Sequence, residues 1–315
     1  MEKGTVSLNG RAKHLCERLD YYSAFNIKEH RLENGASVWD FKGGGLSVGL
    51  LLAKVCLGGH GNVNITQGDN QLWHGPSVEI GTDHPVAACM ASQYAGWQIS
   101  KGDFFGMGSG PMRAAAAKEK IFETIGRTEK PKSVVGVIET AQIPNDEVTS
   151  YIAEECNVSP SEVTLLVAPT ASLPGSIQIV ARSVETALHK MFEIGFDLEN
   201  VVSGIGSAPL PPVAKNDLAG IGRTNDAVLY GANVMLWVQC DDDAIAAIIE
   251  KIPSSSSSDY GSPFCEIFKR YDHDFYKIDP HLFSPARISI NNLKSGRTFQ
   301  AGECRADLIQ KSFLD

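Results

Sequence analysis

Residues 163–190 constrain the fold more than any other part of the chain. VTLLVA (163–168) is a short run of apolar, largely branched residues with the length of a strand. A hydroxyl-rich loop follows, and from residue 178 to 196 apolar positions recur at helical spacing. The pattern is repeated upstream. SVVGVI (133–138) reads as a strand, and a helix follows over 144–156, with Asn145 as its N-cap and Val148 and Ile152 facing inward. Strands alternating with helices predict an α/β architecture. Further helical spacing covers 11–22 and 111–125. Residues 36–41 and 287–291 alternate as strands, 228–238 reads as a strand or strand pair, and 243–251 as a short helix. Residues 46–57 read as an apolar helix or a buried strand. A boundary near residue 160 would give an N-terminal α/β lobe (1–160) and a C-terminal one (161–315), with interleaving of the two left open.

Composition narrows the function classes. The chain is 43% hydrophobic and 8% aromatic over 315 residues, enough to bury a sizeable core without staples. Residues 1–11 are polar, and the apolar stretch 46–57 is interrupted by Ser47, Gly49 and Lys54. Neither a secretory leader nor a membrane span is expected, and the expected location is the cytoplasm. A net charge of -9 argues against nucleic acid as a partner but leaves room for a small anionic ligand at a local positive site. The seven cysteines stand singly and read as buried, reduced thiols. The eight histidines show no metal-ligand spacing, so no metal site is expected. The run Ser254 to Ser258 reads as a solvated loop.

Several motifs carry possible chemistry. Gly106, Gly108 and Gly110 alternate before a helix, bracketing Ser109. They read either as a tight turn or as a nest of amides for an anion. No Gly-Lys-Ser/Thr follows, and the glycines do not have dinucleotide spacing. Met107 and Pro111 stand where a nucleophile elbow around Ser109 needs glycine, which excludes a serine acyl hydrolase. The loop after 168 offers Thr170, Ser172, Ser176 and Gln178 where ligands bind in α/β proteins, at the carboxyl end of a strand. Arg182, Glu185 and His189 share one helix face by spacing. On an exposed helix such a pair is an idle ion pair. Here Val180, Ala181, Val184 and Leu188 make the helix largely apolar, which turns the pair toward a cleft. Arg223, Asn225 and Asp226, read as a loop before a strand, and the polar, aromatic segments 69–75 and 272–279 suit a polar, planar heterocycle.

At these segments the chain resembles the methenyl-tetrahydromethanopterin cyclohydrolases. The resemblance runs through GWQIS (96–100), FFGMGSGPMRA (104–114), APTASLPGSIQIVARSVETALHK (168–190), GRTNDAVLYGA (222–232), YGSPF (260–264) and DFYKIDPHLFSPA (274–286). It implies two α/β lobes enclosing a substrate pocket, assembly as a homo-oligomer (trimer or dimer), no metal or prosthetic group, and reversible hydrolysis of the methenyl bridge to the formyl derivative. It also implies that Arg182 and Glu185 are the catalytic pair.

The chemistry agrees. The methenyl carbon lies between two nitrogens and carries delocalised positive charge, so it needs a positioned water and a base rather than a metal. A carboxylate at Glu185 supplies the base, and a neighbouring guanidinium would hold it ionised. Arg113 and the glycine nest would meet an acidic group on the substrate's tail. The rival is a non-catalytic pterin- or nucleotide-binding protein with the same pocket, although binding a flat ring requires no buried ion pair.

Overall fold

The computed structural model describes residues 7–22 and 25–314. The first part of the polar N-terminal stretch lies outside them. Twelve strands are described: β1 (Lys28–Arg31), β2 (Ser37–Asp40), β3 (Asn62–Thr66), β4 (Ser77–Thr82), β5 (Trp97–Lys101), β6 (Phe104–Ser109), β7 (Val134–Glu139), β8 (Val163–Ala168), β9 (Val201–Pro209), β10 (Asn233–Val238), β11 (Arg287–Asn292) and β12 (Thr298–Gly302). They form two six-stranded sheets, ordered β1-β2-β8-β7-β6-β5 and β12-β11-β10-β9-β4-β3. The chain therefore folds as two α/β units, one of residues 1–62 and 86–178, the other of residues 63–85 and 179–315. The division falls after residue 178 rather than at 160, and β4 joins the second unit by pairing with β9.

In the first unit β2, β8 and β7 run parallel. Alternation sends Val134 and Ile138 to one face and Val135 and Val137 to the other. Both faces are covered. The Asp146–Glu155 helix packs Val148 and Ile152 on one, and the Leu46–Cys56 helix packs Val48, Leu52 and Val55 on the other. Burial on both faces is why 133–138 and 163–168 read as unbroken apolar runs. Asn145 caps its helix as the spacing predicts, its side chain accepting from Val148 N–H at 3.1 Å. In the second unit the sheet is mixed: β9 is antiparallel to β10 and β4, and β11 is parallel to β10.

Several helical readings change, and the one over 11–22 is two helices, Leu8–Cys16 and Leu19–Tyr22. The single helix over 178–196 is two, Leu173–Val180 and Ser183–Glu193. Arg182 N–H donates to the Ile179 carbonyl, a tighter turn, while its own carbonyl takes Thr186 N–H at 2.9 Å and starts the second helix. The break sits where the chain leaves one unit for the other. The helix over 111–125 is also two, because Ala117 turns left-handed at φ 47°. Residues 222–226 lie within the Asp217–Leu229 helix instead of a loop before a strand. Its start is set by Asn216, whose side chain accepts from Ala219 N–H at 2.9 Å.

The five-serine run is solvated only in part: Ser255, Ser256 and Ser258 are exposed. Ser254 and Ser257 are buried, and their hydroxyls are taken by the Leu229 carbonyl and the Asp279 carboxylate. Satisfied hydroxyls cost little to bury, which composition cannot reveal. The cysteines divide: Cys56, Cys89 and Cys156 are buried, Cys16, Cys240 and Cys304 half-buried, and Cys265 exposed. Among the described residues, no helix is long and apolar enough to cross a membrane, and no group of three or more His, Cys, Asp or Glu is placed to hold a metal ion.

Candidate active site

Two of the three alternating glycines lie in a strand rather than in a turn before a helix. Gly106, Gly108 and Ser109 belong to β6, with Gly108 opposite Trp97 on β5 and Ile138 on β7. A Cβ on Gly108 would lie 2.9 Å from both Ile99 Cδ1 and Met112 Cε, and one on Gly106 would lie 2.6 Å from Ile138 Cγ2. These glycines are small because core side chains press on the strand. Only Gly110 turns, at φ 85°. Extended strand amides spent on ladder partners do not converge on one point as a nest's do. Ser109 is buried, its hydroxyl donating to the Val137 carbonyl at 3.2 Å.

Arg113 is likewise occupied. Its side chain is fully buried. Nε donates to Glu119 at 2.8 Å and Nη1 to the Met90 carbonyl at 2.8 Å, while Nη2 also donates to Glu119. The rings of Tyr94 and Phe122 lie 4.9 and 5.4 Å from the guanidinium carbon. A guanidinium so enclosed has no donor fork left for a substrate's acidic tail.

The loop after β8 is at the carboxyl end of the parallel strands. Ser172 donates to the Pro169 carbonyl at 2.7 Å and accepts from Gly175 N–H at 3.1 Å, capping the Leu173–Val180 helix. Ser176 donates to the Thr170 carbonyl at 3.2 Å. The Thr170 hydroxyl donates to the carboxylate of Glu139, the last residue of β7. Gln178 is buried in the same unit. The structure thus brings Thr170, Ser172 and Ser176 together and adds Glu139. The sequence signal for Glu139 was a charge closing an otherwise apolar strand.

In the second unit Arg182 takes the N-cap position of the Ser183–Glu193 helix, and Glu185 lies in its first turn. Both are buried, at 7% and 4% exposure. A helix N-terminus favours a carboxylate, and Glu185 stands in that first turn. The helix is seated on β9 where Gly204 and Gly206 present no side chain: Cβ atoms there would stand 3.0 Å from Val184 Cγ1 and 2.5 Å from Ser183 Oγ. Five residues beyond Glu185, Lys190 is also buried. Its Nζ donates to the His281 carbonyl at 2.6 Å and to Ser256 at 3.1 Å. Burial pushes its pKa down to about 8, against the pull of Asp279. Sequence reasoning passed over Lys190, although a lysine between Leu188 and Met191 on an apolar helix is itself a signal.

The remaining candidates have local duties. Arg223 donates to the Pro212 carbonyl at 3.2 Å, and Asn225 to the Ile221 carbonyl at 2.8 Å, one turn back on its own helix. Asp226 is fully buried and accepts from Phe264 N–H at 2.8 Å, capping the Phe264–Arg270 helix. Burial pushes its carboxyl up to about 7, with that N–H opposing. The segment 69–75 folds over Trp73, whose ring meets Phe313 edge-on at 5.1 Å. Phe275, from 272–279, packs on Phe268 at 4.5 Å.

Comparison with known proteins adds to this geometry. A family model described as Cyclohydrolase (MCH) matches residues 7–313. The chain is 50% identical over 275 residues to a methenyltetrahydromethanopterin cyclohydrolase of Rhodopirellula baltica, covering 86% of this chain and 83% of that one. It is 42% identical to the protein of that name from Methylobacillus flagellatus, with 97% and 93% covered. For the one from Methanospirillum hungatei the identity is 41%, with 98% and 99% covered.

Proposed function

The chain belongs to the cyclohydrolase (MCH) family, and from that premise we propose that it hydrolyses the methenyl bridge of methenyl-tetrahydromethanopterin to the formyl derivative, with Glu185 as the base. The observation that carries the assignment of the base is the burial of Arg182 and Glu185 at the start of one helix, on a chain whose relatives bear this activity in their names. Water adds to the cationic carbon between the two nitrogens as Glu185 takes one of its protons. The protonated carboxyl then returns a proton to the departing ring nitrogen while the remaining hydroxyl becomes the formyl carbonyl. One water is consumed and one proton released. The substrate carries its own positive charge, so the scheme needs no Lewis acid and no cofactor. Arg182 orients the carboxylate. We place the enzyme in the cytoplasm as a homo-oligomer, a trimer or dimer.

The test is spectroscopic. Methenyl pterins absorb in the near ultraviolet and lose the band on hydrolysis. Purified protein should abolish it catalytically with the tetrahydromethanopterin derivative and act much more slowly on the folate counterpart. A protein that binds the methenyl compound and leaves the band intact is a binding protein instead.

A further inference from the structure

We propose that Lys190 is a positioning residue for Glu185, holding the helix that carries the base in one rotation and tilt. The inference rests on the assignment of Glu185 made above. Lys190 and Ser183 are seven residues apart, two turns along one side of the Ser183–Glu193 helix. The Ser183 end is seated on β9 through the bare backbone of Gly206. That seating fixes the first turn of the helix. The second point is the Lys190 ammonium, which reaches the His281 carbonyl and the Ser256 hydroxyl.

Those acceptors are themselves fixed. His281 N–H donates to Asp279 at 3.0 Å, and the other Asp279 oxygen takes Ser257 Oγ at 2.7 Å and Ser258 N–H at 3.1 Å. Asp279 N–H donates to Asp259 at 2.9 Å, and Ser256 donates to the Lys251 carbonyl at 2.9 Å. The serine run and the 279–282 turn are thus a braced shelf, and Lys190 ties the helix to it. A Met or Leu at this position would pack without burying an ammonium, so packing alone does not account for a lysine here. Positioning does. A carboxylate stands about 5–6 Å from its helix axis, so a roll of about 10° moves it about 1 Å. A misplacement of that size costs on the order of 10²-fold in rate.

The experiment uses the full chain and the methenyl absorbance assay, with wild type, Lys190→Met, Lys190→Arg and Ser256→Ala side by side. Lys190→Met should lower kcat about 10²-fold with KM within about threefold, in protein with the wild-type circular dichroism. Lys190→Arg should recover part of the loss. A purely structural lysine would lower the melting temperature and leave kcat per folded molecule unchanged, and kcat within about threefold of wild type overturns the proposal. If Lys190→Met does not fold, Ser256→Ala decides: a severalfold drop in kcat at constant KM supports the proposal, and an unchanged kcat overturns it. Absence of turnover in wild type would instead sink the functional assignment.

Discussion

The Nε of Arg113 donates to both carboxylate oxygens of Glu119, at 2.8 and 3.2 Å, with the guanidinium sealed from water. Removing one partner leaves a buried charge uncompensated, which typically costs about 3–5 kcal/mol. Glu119→Gln should therefore lose about 3 kcal/mol in denaturant unfolding, the lower end because Glu119 is partly exposed. KM of the folded fraction should stay near wild type. A large rise in KM at unchanged stability would return Arg113 to the substrate.

Gly108→Val tests the strand against the nest. The added side chain meets Ile99, Met112 and the Trp97 carbonyl at 2.9 to 3.0 Å from its first carbon. Overpacking of this kind costs about 1–3 kcal/mol. The expected result is a lower melting temperature, where an anion nest would give a higher KM with the fold intact. Thermal unfolding and KM measured on one preparation separate the two.

General base catalysis contributes about 10²–10⁴-fold, so Glu185→Gln should lose at least about 10² in kcat with a smaller change in KM. Arg182→Ala should also lower kcat, and Arg182→Lys should recover only part, since it keeps the charge and loses the planar fork. A kcat for folded Glu185→Gln within about tenfold of wild type would put the chemistry elsewhere.

Asp226 gives stability a pH signature. Its folded pKa, about 7, lies above the unfolded value of 3.8, so between those limits the folded state holds the extra proton. Its contribution is full below pH 3.8 and is lost as pH rises through 7. Asp226→Asn keeps an acceptor for Phe264 N–H and cannot titrate. The melting temperature of the variant relative to wild type should climb from pH 5 to pH 8. A constant difference across that range would refute the shift.

Dialysis against a strong chelator should leave the hydrolysis rate unchanged, because the cationic substrate is its own electrophile. A loss that a divalent metal restores would overturn the metal-free scheme.

Short-range physics was legible in the sequence. Apolar runs of strand length flanked by caps placed β7, β8 and the Asp146–Glu155 helix almost to the residue, because both faces of that sheet are covered and every position must be apolar. The same reasoning put Arg182 and Glu185 on one apolar segment. Only the tertiary structure decided what touches what. Three alternating glycines look alike in a phosphate nest and in a strand pressed by core side chains; the difference is Ile99 and Met112, brought in from other elements. An arginine beside a glycine-rich segment looks like a ligand site until Glu119 closes on it. Five serines look solvated until the Leu229 carbonyl and Asp279 take the hydroxyls of two of them, Ser254 and Ser257. Local propensity acts over a few residues and can be read along the chain. Burial, charge pairing and the seating of Lys190 depend on partners up to about a hundred residues away, which the chain order does not specify.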